Sequence, residues 1–145
     1  MVIGIGNAYR GDDEAGLLVA RMLATKRLEK VQVLEFPGEG TELIEAWRDR
    51  DHVIVVDACL SGVAIGTITR FDVNVTPLPS GFFSYSTHAF GLAEAVETSR
   101  NLGILPKKMA VFAIEGKNFA QGAPLSSGVE AAAGQVSTRV IDELR

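Results

Sequence analysis

The sequence predicts an α/β fold: a sheet of strands alternating with helices, with one edge strand or hairpin arm suited to run antiparallel. Three observations predict it. Short apolar runs alternate with stretches of helical period along the chain. The run Val53-Ile54-Val55-Val56 is apolar throughout, as in a central strand covered on both faces. Ile65, Thr67, Thr69 and Phe71 alternate with Gly66, Ile68 and Arg70, a period-two pattern that suits an edge strand or hairpin arm.

Taken in order, Met1 to Ile5 reads as a strand and Asp13 to about Lys26 as a helix, with Leu17, Leu18, Met22 and Leu23 giving a helix-period face. Val31 to Phe36 is the second strand. Pro37-Gly38-Glu39-Gly40 is a turn, and Thr41 is the expected N-cap of a short helix through Trp47. His52 to Asp57 is the third strand and Ile65 to Phe71 the edge strand. A long loop rich in Pro, Ser and Gly follows, and such a loop in a compact domain is more often functional than idle. Thr87 is the expected cap of a helix from Ala89 to Leu102. Lys108 to Ile114 is the last strand. Ser127-Gly128-Val129-Glu130 has the spacing of a capping box and opens a final helix that runs to about Leu144. Neither repeat nor linker interrupts the pattern, so residues 1–145 are expected to form a single domain.

Composition excludes several classes. With 14 Lys and Arg against 18 Asp and Glu the net charge is -4, and without basic runs interleaved with aromatics a nucleic-acid partner has no support. Pro77, Pro79 and Gly81 interrupt the longest uncharged stretch, so it is not a membrane helix. No basic-plus-apolar leader precedes the first strand, which makes a cytoplasmic protein the default. The one cysteine, Cys59, rules out an internal disulfide and fits a reducing compartment.

The residues that suggest chemistry are Asp13, Asp57 and His88. Each follows a strand-like run, and in open α/β sheets ligands bind outside the carboxyl ends of the strands, where strand order reverses. Gly4-Ile5-Gly6-Asn7 is not a dinucleotide fingerprint, because Tyr9 occupies the place of the third glycine. These glycines instead supply a tight turn and close backbone approach, with Asn7 hydrogen-bonding the loop. Asp12 and Asp13 admit two readings, capping of the helix that follows or ligation. Asp57 is harder to dismiss, since a carboxylate at the rim of a buried strand needs a metal, a cation or a hydrogen-bond donor. His88 is either packed beside Phe90 or a ligand; placed at a helix N-terminus, its ring would be held neutral, the form that binds metal. Two carboxylates and an imidazole without a thiolate suit a divalent ion such as nickel or zinc and leave coordination positions open. Cys59 is expected to pack as a small apolar group. His52, at the far end of its strand, has no assigned role.

Asp12-Asp13, Asp57, Thr87 and Lys107-Lys108 also match, in order, the residues of a response-regulator receiver, a phospho-accepting signalling domain. Placement argues against it: Asn7 to Gly11 separate the acidic pair from the first strand, and the lysines precede the last strand rather than follow it.

Gly4-Ile5-Gly6-Asn7, Gly11-Asp12-Asp13, Val55-Val56-Asp57-Ala58 and Ser86-Thr87-His88-Ala89-Phe90-Gly91-Leu92, in register with Pro106-Lys107-Lys108 and a C-terminal helix, together resemble the hydrogenase maturation proteases. The resemblance implies a three-layer α/β/α sandwich with a mostly parallel, twisted sheet, and an endopeptidase that recognises nickel in the precursor of a [NiFe] hydrogenase large subunit, then removes its C-terminal extension. It implies that Asp13, Asp57 and His88 are the metal ligands and catalytic residues, and that the nickel is presented by the precursor partner rather than kept as a cofactor. A non-cleaving metal-binding chaperone for hydrogenase is the remaining alternative. Two details bear on the match. Glu14 stands where the family often has Gly; it tunes affinity, assists as base or faces solvent, the last being favoured because an early-helix Glu complements the dipole. Gly40-Thr41 resembles the family's Gly-Thr, a shaper of the substrate cleft. No Ser-His-Asp or Cys-His arrangement is evident; Ser84, Ser86 and Thr87 are neighbours of His88 in sequence, and neighbours rarely form a catalytic pair.

Overall fold

The computed structural model describes residues 1–79, 81–83 and 88–145. Its strands are β1 (Val2–Ile5), β2 (Val33–Phe36), β3 (His52–Cys59), β4 (Ile68–Asp72) and β5 (Lys108–Glu115), and its helices are α1 (Ala15–Thr25), α2 (Gly40–Trp47), α3 (Leu92–Asn101) and α4 (Ser127–Leu144). One sheet contains all five strands in the order β2-β1-β3-β5-β4. The first four are parallel, and β4 alone pairs antiparallel, at the edge, as its alternation predicts.

Alternation along β3 divides the interior in two. Val53, Val55 and Cys59 pack with Leu43, Trp47, Leu92 and Val96 of α2 and α3. Ile54, Val56 and Ala58 pack with Val19, Leu23, Val129 and Val136 of α1 and α4. The result is the three-layer α/β/α sandwich. Burial of these side chains in close-packed contact is the main favourable term for folding. Trp47 is fully buried, and its indole N–H donates to Ser99 Oγ at 2.9 Å, tying α2 to α3 without an orphaned donor. Among the described residues no helix is long and apolar enough to cross a membrane.

Chain direction then positions the site. From β1 the chain crosses by α1 to β2, on one side; from β2 it crosses by α2 to β3, on the other. Strand order therefore reverses between β1 and β3, and their carboxyl ends flank the crevice where such sheets bind ligands.

Several expected boundaries move. The first helix does not begin at Asp13: Gly11–Glu14 form a tight 3₁₀ turn and α1 starts at Ala15. The cap of α2 is Glu39 rather than Thr41, with its carboxylate accepting the N–H groups of Thr41 and Glu42, each at 3.0 Å. Helix α3 starts at Leu92 rather than Ala89, capped by Glu94 Oε2, which accepts the Gly91 N–H at 3.1 Å. Thr87, expected to cap it, lies outside the described residues, as do Ser84 and Ser86. The capping box at Ser127 does not form, because the N-cap is Ser126 and its hydroxyl donates to Asp12. Strand β3 runs two residues past Asp57, to Cys59, because the pairing with β5 continues through Ala58↔Ile114 and Cys59↔Glu115.

Candidate active site

Gly6, the residue after β1, brings Asp13 to the crevice. A Cβ on Gly6 would lie 2.1 Å from the Asp13 carbonyl oxygen, so only a bare backbone lets the 3₁₀ turn rest on the end of the strand. Asn7 Nδ2 then donates to Asp13 Oδ2 at 2.9 Å and fixes the carboxylate. Asn7 thus holds the site as well as the loop.

Asp57 projects from β3 with the parity of the α2–α3 face and is only 8 % exposed. Its carboxyl is pushed well above the ordinary aspartate range, first by burial and then by the neighbouring Asp13 charge, against a lesser pull from the Ala58 N–H. Asp13 and Asp57 are thus brought together, as the sequence predicts.

His88 comes toward the same edge from the segment ahead of α3. It lies beside the β2–α2 turn, where a Cβ on Gly38 would sit 3.8 Å from His88 Cδ2 and 3.0 Å from Ile5 Cγ2. It is four residues ahead of α3 and not at the helix N-terminus that the sequence predicts for it. Among the described residues, no three His, Cys, Asp or Glu side chains are grouped so as to hold a metal ion. A cavity of about 250 Å³ opens beside His88, walled by Pro79, Phe83, Leu92 and Ala93.

Other groups fall away from the chemistry. Cys59 is buried in the core as expected, and burial, with the charges of Glu115 and Asp57, pushes its thiol up to about 12, far from the thiolate a nucleophile requires. Glu14 is taken up by Arg21 at 2.8 Å, on the partly exposed side of α1. Lys107 pairs with Asp51 at 3.1 Å at the opposite end of the sheet, so the receiver arrangement is absent.

Residues 17–143 match the family model HycI, hydrogenase maturation protease. The chain belongs to that family. It is 28% identical over 149 residues to the hydrogenase 2 maturation protease of Escherichia coli, an alignment covering 100% of this chain and 90% of the relative. Its fold superposes on an endopeptidase from Escherichia coli with a TM-score of 0.83 at 25% identity, over 99% of this chain and 91% of the other. It is also similar to a [NiFe] hydrogenase maturation protease, HycI, from Thermococcus kodakarensis, with a TM-score of 0.70 at 25% identity over 97% and 88% of the two chains. The protein is therefore a peptidase of the maturation protease family, and neither the receiver nor the chaperone reading finds support.

Two carboxylates escape sequence reasoning in this protease. Asp12 is fully buried and accepts from the N–H groups of Lys117 (2.8 Å), Asn118 (3.1 Å) and Ser126 (2.7 Å) and from Ser126 Oγ (2.8 Å). It neither caps α1 nor faces the site; it pins the segment between β5 and α4. Glu115 is also buried, and accepts from the Ser61 N–H and hydroxyl, fixing the loop after β3. Both make contacts across more than fifty residues of chain, which local pattern does not signal.

Proposed function

We infer that this protease removes a C-terminal extension from the large-subunit precursor of a [NiFe] hydrogenase, and that it reads the nickel held in that precursor through Asp13, Asp57 and His88. The observation that carries the reading is the convergence of two carboxylates, one of them buried, at the point where strand order reverses. Like charges in a desolvated crevice favour a cation that arrives from outside. Two carboxylates and an imidazole leave open positions on that cation, which donors of the precursor can keep. Nickel is then part of the substrate, and the protease supplies half of its shell. His88, beside the β2–α2 turn, supports a site completed when the precursor is seated.

Hydrolysis follows from the same groups. Held by Asp13, Asp57 and His88, the ion would either mark the loaded precursor or also supply polarisation of the scissile carbonyl or of a bound water, and one of the two carboxylates would accept the proton. A carboxylate mechanism is supported by Cys59, which is held as a thiol inside the core. The lone buried thiol also supports a reducing, cytoplasmic setting, and the unbroken sheet supports a single domain over residues 1–145.

Incubation with a nickel-loaded large-subunit precursor tests the reading by mass spectrometry. The wild-type protease is expected to shorten the precursor at its C-terminus. Asp13→Ala, Asp57→Ala and His88→Ala are each expected to abolish shortening while circular dichroism shows the fold retained. Full-length precursor with wild-type protease sinks the proposal; unchanged cleavage by one variant removes that residue from it.

A further inference from the structure

Strand β2 ends the sheet on one side: it pairs with β1, and among the described residues no strand pairs with its other edge. The Val2 N–H donates to the Gln32 carbonyl oxygen at 2.8 Å and the Gly6 N–H to that of Phe36 at 3.0 Å, so the even-numbered residues turn their backbone groups toward β1. Val33 and Glu35 turn theirs to the open edge, a row of donors and acceptors that fits an extended polypeptide. On the α1 side of this edge Arg21 holds the Glu35 carboxylate at 2.9 Å. On the α2 side lies a groove of about 430 Å³, lined by Leu34 and Phe36 of β2 and by Glu42, Glu45 and Ala46 of α2. The sheet's other edge strand, β4, lies beyond β5, away from the crevice between β1 and β3. Strand β2 leads to the site instead: it ends at Phe36, and two residues on, Gly38 lies beside the His88 ring.

Resting on the function inferred above, we propose that the C-terminal extension of the precursor adds to β2 as a further, antiparallel strand and seats alternate apolar side chains in the groove between β2 and α2. Direction follows from the fold. A chain that leaves a scissile bond in the crevice and passes along β2 runs from Phe36 toward Val33, against the direction of the strand. Antiparallel pairing is also slightly the more stable per residue. Successive side chains of an added strand point to opposite faces, so every second one meets the groove. Main-chain bonds to Val33 and Glu35 supply affinity with little demand on sequence, and the groove selects apolar side chains. A contact this short suits a product that must leave.

Three variants test the edge and the groove separately. Glu35→Pro removes the outward N–H and sets a ring against an incoming strand, at an edge position where proline is tolerated. Glu35→Ala keeps the N–H and removes only the pairing with Arg21. Ala46→Phe fills the groove from a partly buried position on α2. On nickel-loaded precursor, Glu35→Pro and Ala46→Phe are each expected to raise KM by about tenfold, the scale of one or two lost hydrogen bonds, with kcat within about twofold. Glu35→Ala is expected to match wild type. Once mass spectrometry has located the cut, a precursor truncated two residues beyond it identifies the occupant. Its KM with the wild-type protease is expected to be about tenfold higher, and Glu35→Pro to raise it no further. Unchanged KM in folded Glu35→Pro or in Ala46→Phe overturns the proposal, as does an equal loss in Glu35→Ala. A truncated precursor that keeps the full Glu35→Pro effect overturns it too, because the edge would then hold the body of the precursor. If Glu35→Pro fails to fold by circular dichroism, Ala46→Phe decides by the same readings. Should wild type cleave no loaded precursor, the inferred function falls and this inference with it, whereas cleavage that is indifferent to both variants removes the added strand alone.

Discussion

Asp12 and Asp13 are adjacent, and the 3₁₀ turn they share sends them to different tasks. Asp13 is turned toward the crevice and held there by Asn7, whereas Asp12 is turned into the protein beneath the segment that joins β5 to α4. Burial alone would raise the Asp12 carboxyl, but its hydrogen bonds from Ser126, Lys117 and Asn118 outweigh that cost and hold it below the ordinary range. Asp12→Ala leaves those donors without an acceptor in a buried place. A loss of about 3 kcal/mol of stability is expected in urea denaturation, the scale for hydrogen bonds to a charged group with partners left unpaired. A loss below about 1 kcal/mol would show that water replaces the carboxylate and that the segment is not pinned by it.

At the scale of elements, the sheet was legible in the residues and the helix starts were not. The apolar run of β3 and the alternation of β4 are decided by which faces are buried, a property each strand carries in its own sequence. Helix starts are decided by contacts from elsewhere. Gly40 binds the Phe90 carbonyl and keeps the chain extended through Gly91, so α3 begins late. Glu39 displaces Thr41 as a cap although Glu is not a favoured capping residue. The site divides the same way: Asp13 lies past β1 and Asp57 within β3, each after an apolar run that could be placed, whereas the seat of His88 depends on a turn fifty residues away. Helix α1 is held to the sheet by a close approach of this kind, since a Cβ on Gly16 would lie 2.2 Å from the Ile5 carbonyl oxygen and 2.3 Å from that of Val56. Gly16→Ala is expected to cost about 3 kcal/mol, at the upper end for overpacking, and to reduce cleavage by shifting the turn that carries Asp13. A variant of wild-type stability and rate would mean that α1 moves away from the sheet freely.

For the molecule as a whole, the two buried aspartates pull the pH dependence of stability in opposite directions. Asp12 has a depressed carboxyl in the folded state, so its contribution is present above the unfolded-state value and lost as the pH falls through the folded one. Asp57 has a raised carboxyl, so the native state binds the extra proton and stability falls as the pH climbs from the unfolded aspartate range toward the folded value. The protease thus pays, near neutrality, for a crevice poised to receive a cation. Asp57→Asn removes that cost while keeping size and shape, and is expected to be more stable than wild type by about 1 kcal/mol at pH 7, a typical gain when a functional site is relieved. The gap should narrow toward pH 4, where the unfolded wild-type chain also begins to bind the proton that the native carboxyl holds. Urea denaturation at several pH values between 4 and 7 measures it, and curves for the two proteins that run parallel over this range would show that Asp57 is not strained by its setting. The same substitution is expected to abolish precursor cleavage, because a neutral amide offers the incoming ion no charge.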